Sequence, residues 1–323
     1  MFSAMMKSTN HLAAAVLLLT PAISVELLSG NSSTAEYFTH PLEFITLTIT
    51  YGAALLIRET VVRWRRGAVS MLILSSAYGM INEGLGTKGF FNPHFYALAN
   101  FGENYGRWFG VNVLWALHIS IVHAVYSVLV PIVLVSVLFP GKGRWLGTPA
   151  YVTLTVAFVL DAVFVLFAFP YVKVPFDITP YLPYLLKYFL SLLALILLVI
   201  FVAWKLPIPG IRKWTWRPNA PLLFVGGIFW AFGFNLVPRI AHTLGAPPGL
   251  CIALLFAFAF LIVWLFFKLP DPSETEKVAL ALGLLAPWFF TATTHGLLIA
   301  IILLASLITA ASLRASIAAK RSV

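Results

Sequence analysis

Glu83 and His123 are the side chains of this sequence best suited to chemistry inside a membrane. Glu83 follows Asn82 near the end of the apolar run 68–86, and His123 lies well inside the next run. A carboxylate in hydrocarbon binds a cation, exchanges a proton or pairs with a base, and Lys88 is the nearest base in sequence. At about 100° per residue, Ser75, Tyr78, Gly79, Asn82, Glu83 and Gly86 share one broad helical face. Asn112, Ala116, Ser120, His123 and Ser127 spread over about 80° of the following helix. Small residues let helices approach and polar ones bond across the contact, so these stripes fit interhelical glue as well as a site.

Within the first four runs Glu83 reads as the only carboxylate clearly inside a span and away from the cytoplasmic edge. Asp161 is a lone acid in the middle of the fifth run and needs a partner or a proton, with His123 as one conceivable partner. The candidate substrate or ion site is therefore Asn82, Glu83, Asn112, His123 and Asp161. Asn235, Arg239, His242 and His295 form a second polar group toward the outer side.

A metal site is not expected. His118 and His123 are five residues apart, about 140° on a wheel, whereas ligands on one helix normally sit at i and i+4. No cofactor motif is present, nor a Gly-x-Ser-x-Gly elbow, a His-Glu-x-x-His helix or a phosphate-binding loop. Glu83 with histidines on the next helix resembles the glutamate–histidine membrane proteases of the CAAX-processing type over a few residues. Those carry a paired Glu-Glu followed by Arg, and Asn82-Glu83-Gly84 departs from both features.

The elements that must position these groups follow from composition. Of 323 residues, 61% are hydrophobic and 10% charged, against roughly 25% charged in soluble domains. The apolar residues come in unbroken runs, which excludes the alternation of a transmembrane barrel and predicts an all-α polytopic bundle. The predicted spans are 12–29, 42–57, 68–86, 108–137, 150–172, 185–204, 221–238, 249–267, 278–292 and 296–313, in one membrane-embedded domain covering 1–323. The first run, within 1–29, also fits a signal peptide, so nine or ten helices are expected. The fourth run, at about 45 Å, is too long for the ~30 Å of hydrocarbon. Residues 84–107, rich in Gly, Asn and aromatics, suit a structured outer loop.

Sixteen of the 21 Lys and Arg fall on one side of this arrangement, among them Arg58, Arg63, Arg65 and Arg66. That side is then cytoplasmic and holds the C-terminus. The net charge of +10 is explained by those loops facing anionic lipid, so nucleic acid is not an expected partner. The partners expected are the lipid bilayer and a small solute, proton or cation. The leading expectation is a secondary transporter or permease in the plasma membrane. The alternatives are a Glu/His-based membrane enzyme and a structural or assembly subunit.

Overall fold

The computed structural model describes residues 2–29, 32–95, 98, 101–102, 104–141, 143–172, 182–206, 213, 215–268, 270 and 272–289. Helix α1 (Phe2–Ala22) continues into a π-helical segment, π1 (Ile23–Leu27), and is followed by the short α2 (Thr34–Thr39). Helices α3 (Pro41–Tyr51) and α4 (Ala53–Arg63) form one rod joined at Gly52. Helix α5 (Ala68–Gly79) runs into π2 (Met80–Gly86). Helix α6 (Val113–Val122), π3 (His123–Leu129) and α7 (Val130–Leu138) make a fourth compound rod. Single helices follow: α8 (Thr148–Val172), α9 (Leu182–Lys205), α10 (Ala220–Thr243), α11 (Pro248–Lys268) and α12 (Glu274–Phe289).

Seven described helices are long and apolar enough to cross a membrane, within 10–27, 41–63, 113–138, 148–167, 186–205, 220–243 and 248–265. The chain is thus a multi-pass helical membrane protein. The predicted run 68–86 coincides with α5–π2 and residues 278–289 of the ninth run lie in α12, while 290–292, His295 and 296–313 lie outside the described residues. Residues of α8 to α11 such as Leu160, Phe167, Leu190, Phe229 and Phe260 are exposed, as a lipid-facing surface requires.

Two predicted boundaries move, each for a physical reason. The second span extends past 57 to Arg63 because Arg58 and Glu59 are buried inside the helix and neutralise one another. The fourth run does not begin at 108. Arg107–Trp108 (β1) and Val111–Asn112 (β2) pair antiparallel around Phe109 and Gly110, whose φ angles of +52° and +85° fit a tight two-residue hairpin turn. The helix starts only at Val113, which shortens this rod to 26 residues, about 39 Å.

The predicted outer loop folds inward. Phe90, Phe91, Phe95, Leu98 and Phe101 are buried in one apolar core with Trp115, Tyr126, Trp230 and Phe234. A second core joins α1, α3, α4, α5 and α7 through Leu17, Leu27, Tyr51, Tyr78, Val128 and Val135. At its edge α5 and α6 touch backbone to backbone: a Cβ on Gly79 would stand 2.7 Å from the Ser120 Cα. That contact brings the polar stripes of the two helices face to face.

Candidate functional site

Three compound helices carry a π segment, and each segment holds a buried ionisable side chain: Glu26 on π1, Glu83 on π2 and His123 on π3. A π turn opens the i→i+4 ladder by one residue and recurs where a helix must present a functional group. Pro21 inside α1 and Pro131 at the start of α7 remove amide donors next to two of these segments. Tyr51 lies ten residues from the start of its rod at Pro41, and His123 lies ten from Val113, so each is about 15 Å along its rod.

The central contact is an ion-pair geometry between His123 Nε2 and Glu83 Oε1 at 3.2 Å, with both residues buried. Asn82 Nδ2 lies 3.2 Å from the same ring nitrogen, and Ser127 Oγ lies 2.8 Å from Nδ1. Thr87 Oγ1 donates to Glu83 Oε2 at 3.0 Å. One ring nitrogen cannot both donate to Glu83 and accept from Asn82. A proton on Nε2 makes the Glu83 bond and releases the Asn82 amide; a proton on Glu83 lets Nε2 accept. The position of one proton therefore sets whether that nitrogen donates or accepts.

Glu26 supplies a second carboxylate beside this pair. Tyr51 Oη donates to its Oε1 at 2.5 Å and Ser32 Oγ to its Oε2 at 2.9 Å. Ser32 also lies 3.3 Å from Glu43 Oε1 at the predicted outer end. The Tyr51 ring is 6.5 Å from the His123 ring, and Tyr78 meets His123 edge-on at 5.6 Å. A ladder of oxygens thus runs from Glu43 through Ser32 and Glu26 to Tyr51, ending beside His123. On the other side Leu17, Leu74, Val128, Ile132 and Val135 form an apolar plug.

Of the five candidate residues, Asn82, Glu83 and His123 come together. Asp161 takes a hydrogen bond from Thr50 Oγ1 at 2.5 Å rather than from His123. Lys88 does not pair with Glu83. Its ammonium reaches the Val165 carbonyl on α8 at 3.3 Å, and burial pushes it down to about 8. Asn112 is three turns from His123 and caps α6: its Oδ1 accepts from the Trp115 N–H at 2.9 Å, and its own N–H bonds to the Phe90 carbonyl. His118 packs away from the cluster, stacked on Phe234 at 5.0 Å and flanked by Phe101.

Glu83 is not the only buried carboxylate inside the first four runs and away from the predicted cytoplasmic edge, since Glu26 is buried within 12–29. Glu26 reads in sequence as an untidy helix end. The signal was its presence before the end of the predicted run 12–29, where an acid is costly. Tyr51 and Thr50 carried no such signal, because their roles depend on contacts with α1 and α8.

A second polar group lies at the predicted cytoplasmic end. Glu59 ion-pairs with the neighbouring Arg58, and its oxygens also accept from the backbone N–H of Trp145 at 2.9 Å and of Leu146 at 3.3 Å. Arg58 donates to the carbonyls of Gly141 and Gly143, and its guanidinium stacks 3.7 Å above the Trp145 ring. Arg63 donates to the Leu146 carbonyl at 2.9 Å and covers Tyr151. This group ties the α7–α8 connection to α4.

No curated protein and no solved structure matches the chain. A family model does, over residues 16–321, and its description is an uncharacterized membrane protein family. The match spans nearly the whole chain, the compound helices and their buried acids included, and the chain belongs to that family.

Proposed function

We propose that this protein is a proton-coupled secondary transporter of a small solute in the plasma membrane, with Glu83 and His123 as the coupling pair. The observation that carries the reading is the Glu83–His123 contact buried inside the apolar helical bundle. Ionisable groups in hydrocarbon are costly, and those that persist there mark ion paths and proton relays. The ladder Glu43–Ser32–Glu26–Tyr51 supports proton entry from the outer end. The apolar plug below supports a state closed to the inner side. Proton position and solute binding are linked through Asn82, which touches His123 and also lines the neighbouring cleft.

The same pair suits general-base catalysis. The cleft is narrow and most of its lining is apolar, which favours a small solute over a lipid or peptide chain.

The test is proton movement by the full chain reconstituted in liposomes that contain a pH-sensitive dye. The wild type is expected to acidify or alkalinise the lumen under an imposed pH gradient, with a rate that depends on added solute. Glu83→Gln, which keeps shape and removes charge, is expected to be silent. Equal rates for wild type, Glu83→Gln and His123→Asn would overturn the reading.

A further inference from the structure

We infer that the turn from α4 into α5, at the predicted cytoplasmic end, binds the phosphate of an anionic phospholipid through Arg63, Arg65 and Arg66. The site is separate from the Glu83–His123 pair and does not depend on transport.

The backbone of this turn sets its arginines at the end of a span. The Arg65 N–H bonds to the Val62 carbonyl at 3.2 Å and the Arg66 N–H to the Val61 carbonyl at 2.9 Å. These two bonds close α4 as a Schellman motif. The motif puts one residue in the left-handed region, normally a glycine, and here that residue is Arg65 at φ +54°. Gly67 stands only two positions further on, yet the strained position holds an arginine. Such an outlier points to a use for the side chain beyond folding.

The donors of the turn are not used up. Among the described residues the Nε–H groups of Arg63 and Arg66 are shielded from solvent and have no acceptor. Arg63 gives one Nη to the Leu146 carbonyl at 2.9 Å and lies 3.9 Å from Glu59. Both Glu59 oxygens are already engaged, by Arg58 and by the N–H groups of Trp145 and Leu146. Arg65 is exposed, and among the described residues no acid pairs with it or with Arg66. Three guanidinium groups beside one satisfied carboxylate leave a surplus of positive charge. The surroundings add to it, since Arg144 is exposed two residues before Leu146 and α8 begins at Thr148 with the positive end of its dipole. A guanidinium carries five N–H donors in a planar fork that matches phosphate oxygens. A phosphate at the Nη ends supplies the charge that the protein does not.

Placement decides where that phosphate comes from. The span 41–63 ends at Arg63 and α5 begins at Ala68, so the turn lies where lipid head groups meet the protein. Trp64 is half-buried between the arginines. Helix α9, which packs along α5, ends in Trp204 and Lys205, with the ammonium 4.0 Å above the Trp204 ring. Tryptophan beside a basic residue is the composition of a membrane interface. A soluble polyanion would reach these groups only across the head-group layer.

The experiment is thermal unfolding of the full-length protein in a neutral detergent, titrated in parallel with phosphatidylglycerol, phosphatidylcholine and inorganic phosphate. Phosphatidylglycerol is expected to raise the melting temperature saturably, and the other two to raise it little. Arg66→Gln is expected to increase the phosphatidylglycerol concentration at half effect by about fivefold. Arg65→Gly is expected to do the same, yet to melt no lower than wild type without lipid, because glycine relieves the left-handed backbone. It carries the test should Arg66→Gln fail to fold. Lys277→Gln removes a basic charge near the start of α12 and is expected to leave the lipid response unchanged. An equal loss in Lys277→Gln would show diffuse attraction to net charge and overturn the site. A wild-type response in both arginine variants, or an equal shift with phosphatidylcholine, would do the same. Inorganic phosphate acting as strongly would assign the turn to a free anion and overturn the lipid.

Discussion

The bundle buries two networks of charged side chains, one at the predicted cytoplasmic end and one around Glu83 and Asp161, and they are built in opposite ways. Around Glu59 both carboxylate oxygens are occupied, by a guanidinium and two backbone N–H groups. Around Glu83 and Asp161 the bonds are few, a ring nitrogen is shared between two claimants, and the Tyr78 hydroxyl has no partner among the described residues. A closed polar network fixes one conformation, whereas a half-closed one leaves room for a ligand or a moving proton. Burial alone does not separate a brace from a site, because Glu59 is more deeply buried than Glu83. The number of partners does.

The largest effect is expected at Glu59. Glu59→Ala strands Arg58 and Arg63 in the interior and should destabilise the fold by about 3–5 kcal/mol. Thermal unfolding in detergent measures this, and a near-neutral result would remove the distinction between brace and site. Glu83→Gln should cost at most about 1 kcal/mol, since a neutral amide still bonds to His123 and Thr87. It should nonetheless stop proton movement, so stability and activity part company at this residue.

Tyr51→Phe is expected to fall between these two. It deletes the bond to Glu26, worth about 1.5–3 kcal/mol when the acceptor is charged, and should slow proton entry without abolishing it. A Tyr51→Phe protein with wild-type rates would take Tyr51 out of the entry path.

The smallest effect belongs to Arg217 and Glu276, an ion pair at the start of α12. Arg217 and the Ser273 N–H hold the Glu276 carboxyl down to about 2 from an ordinary 4.5. Its contribution is therefore complete above pH 4.5 and disappears as pH falls toward 2. Arg217→Gln should lower the melting temperature slightly at pH 7 and not at all near pH 2, which a melting series across pH checks.

The sequence makes the helices and the meeting of Glu83 with His123 legible, because apolar runs and polar stripes are local patterns. The stripes on α5 and α6 point to a shared face, and Gly79 against Ser120 realises it. The inner brace is hidden for a different reason. Arg58 and Arg63 count as loop charges in a tally of basic residues, and only contact with residues 141–151 shows them to be interior. Glu26 and Asp161 depend on partners 25 and 111 residues away, Tyr51 and Thr50, which no single-helix pattern contains. Wheel arithmetic also fails at the three π segments, where the turn no longer holds 3.6 residues.

Those segments have a kinetic consequence. A π turn is an α-helix with one residue too many, and expelling that residue rotates everything beyond it by about 100°. In π3 such a step would swing His123 relative to α7 without tilting either rod. Movement between access states would then need only a one-residue register slip, local to the helix that carries the charge. Amide hydrogens of 80–86 and 123–129 should accordingly exchange with solvent deuterium sooner than those of α10 or α11, even though the π segments lie deeper in the protein.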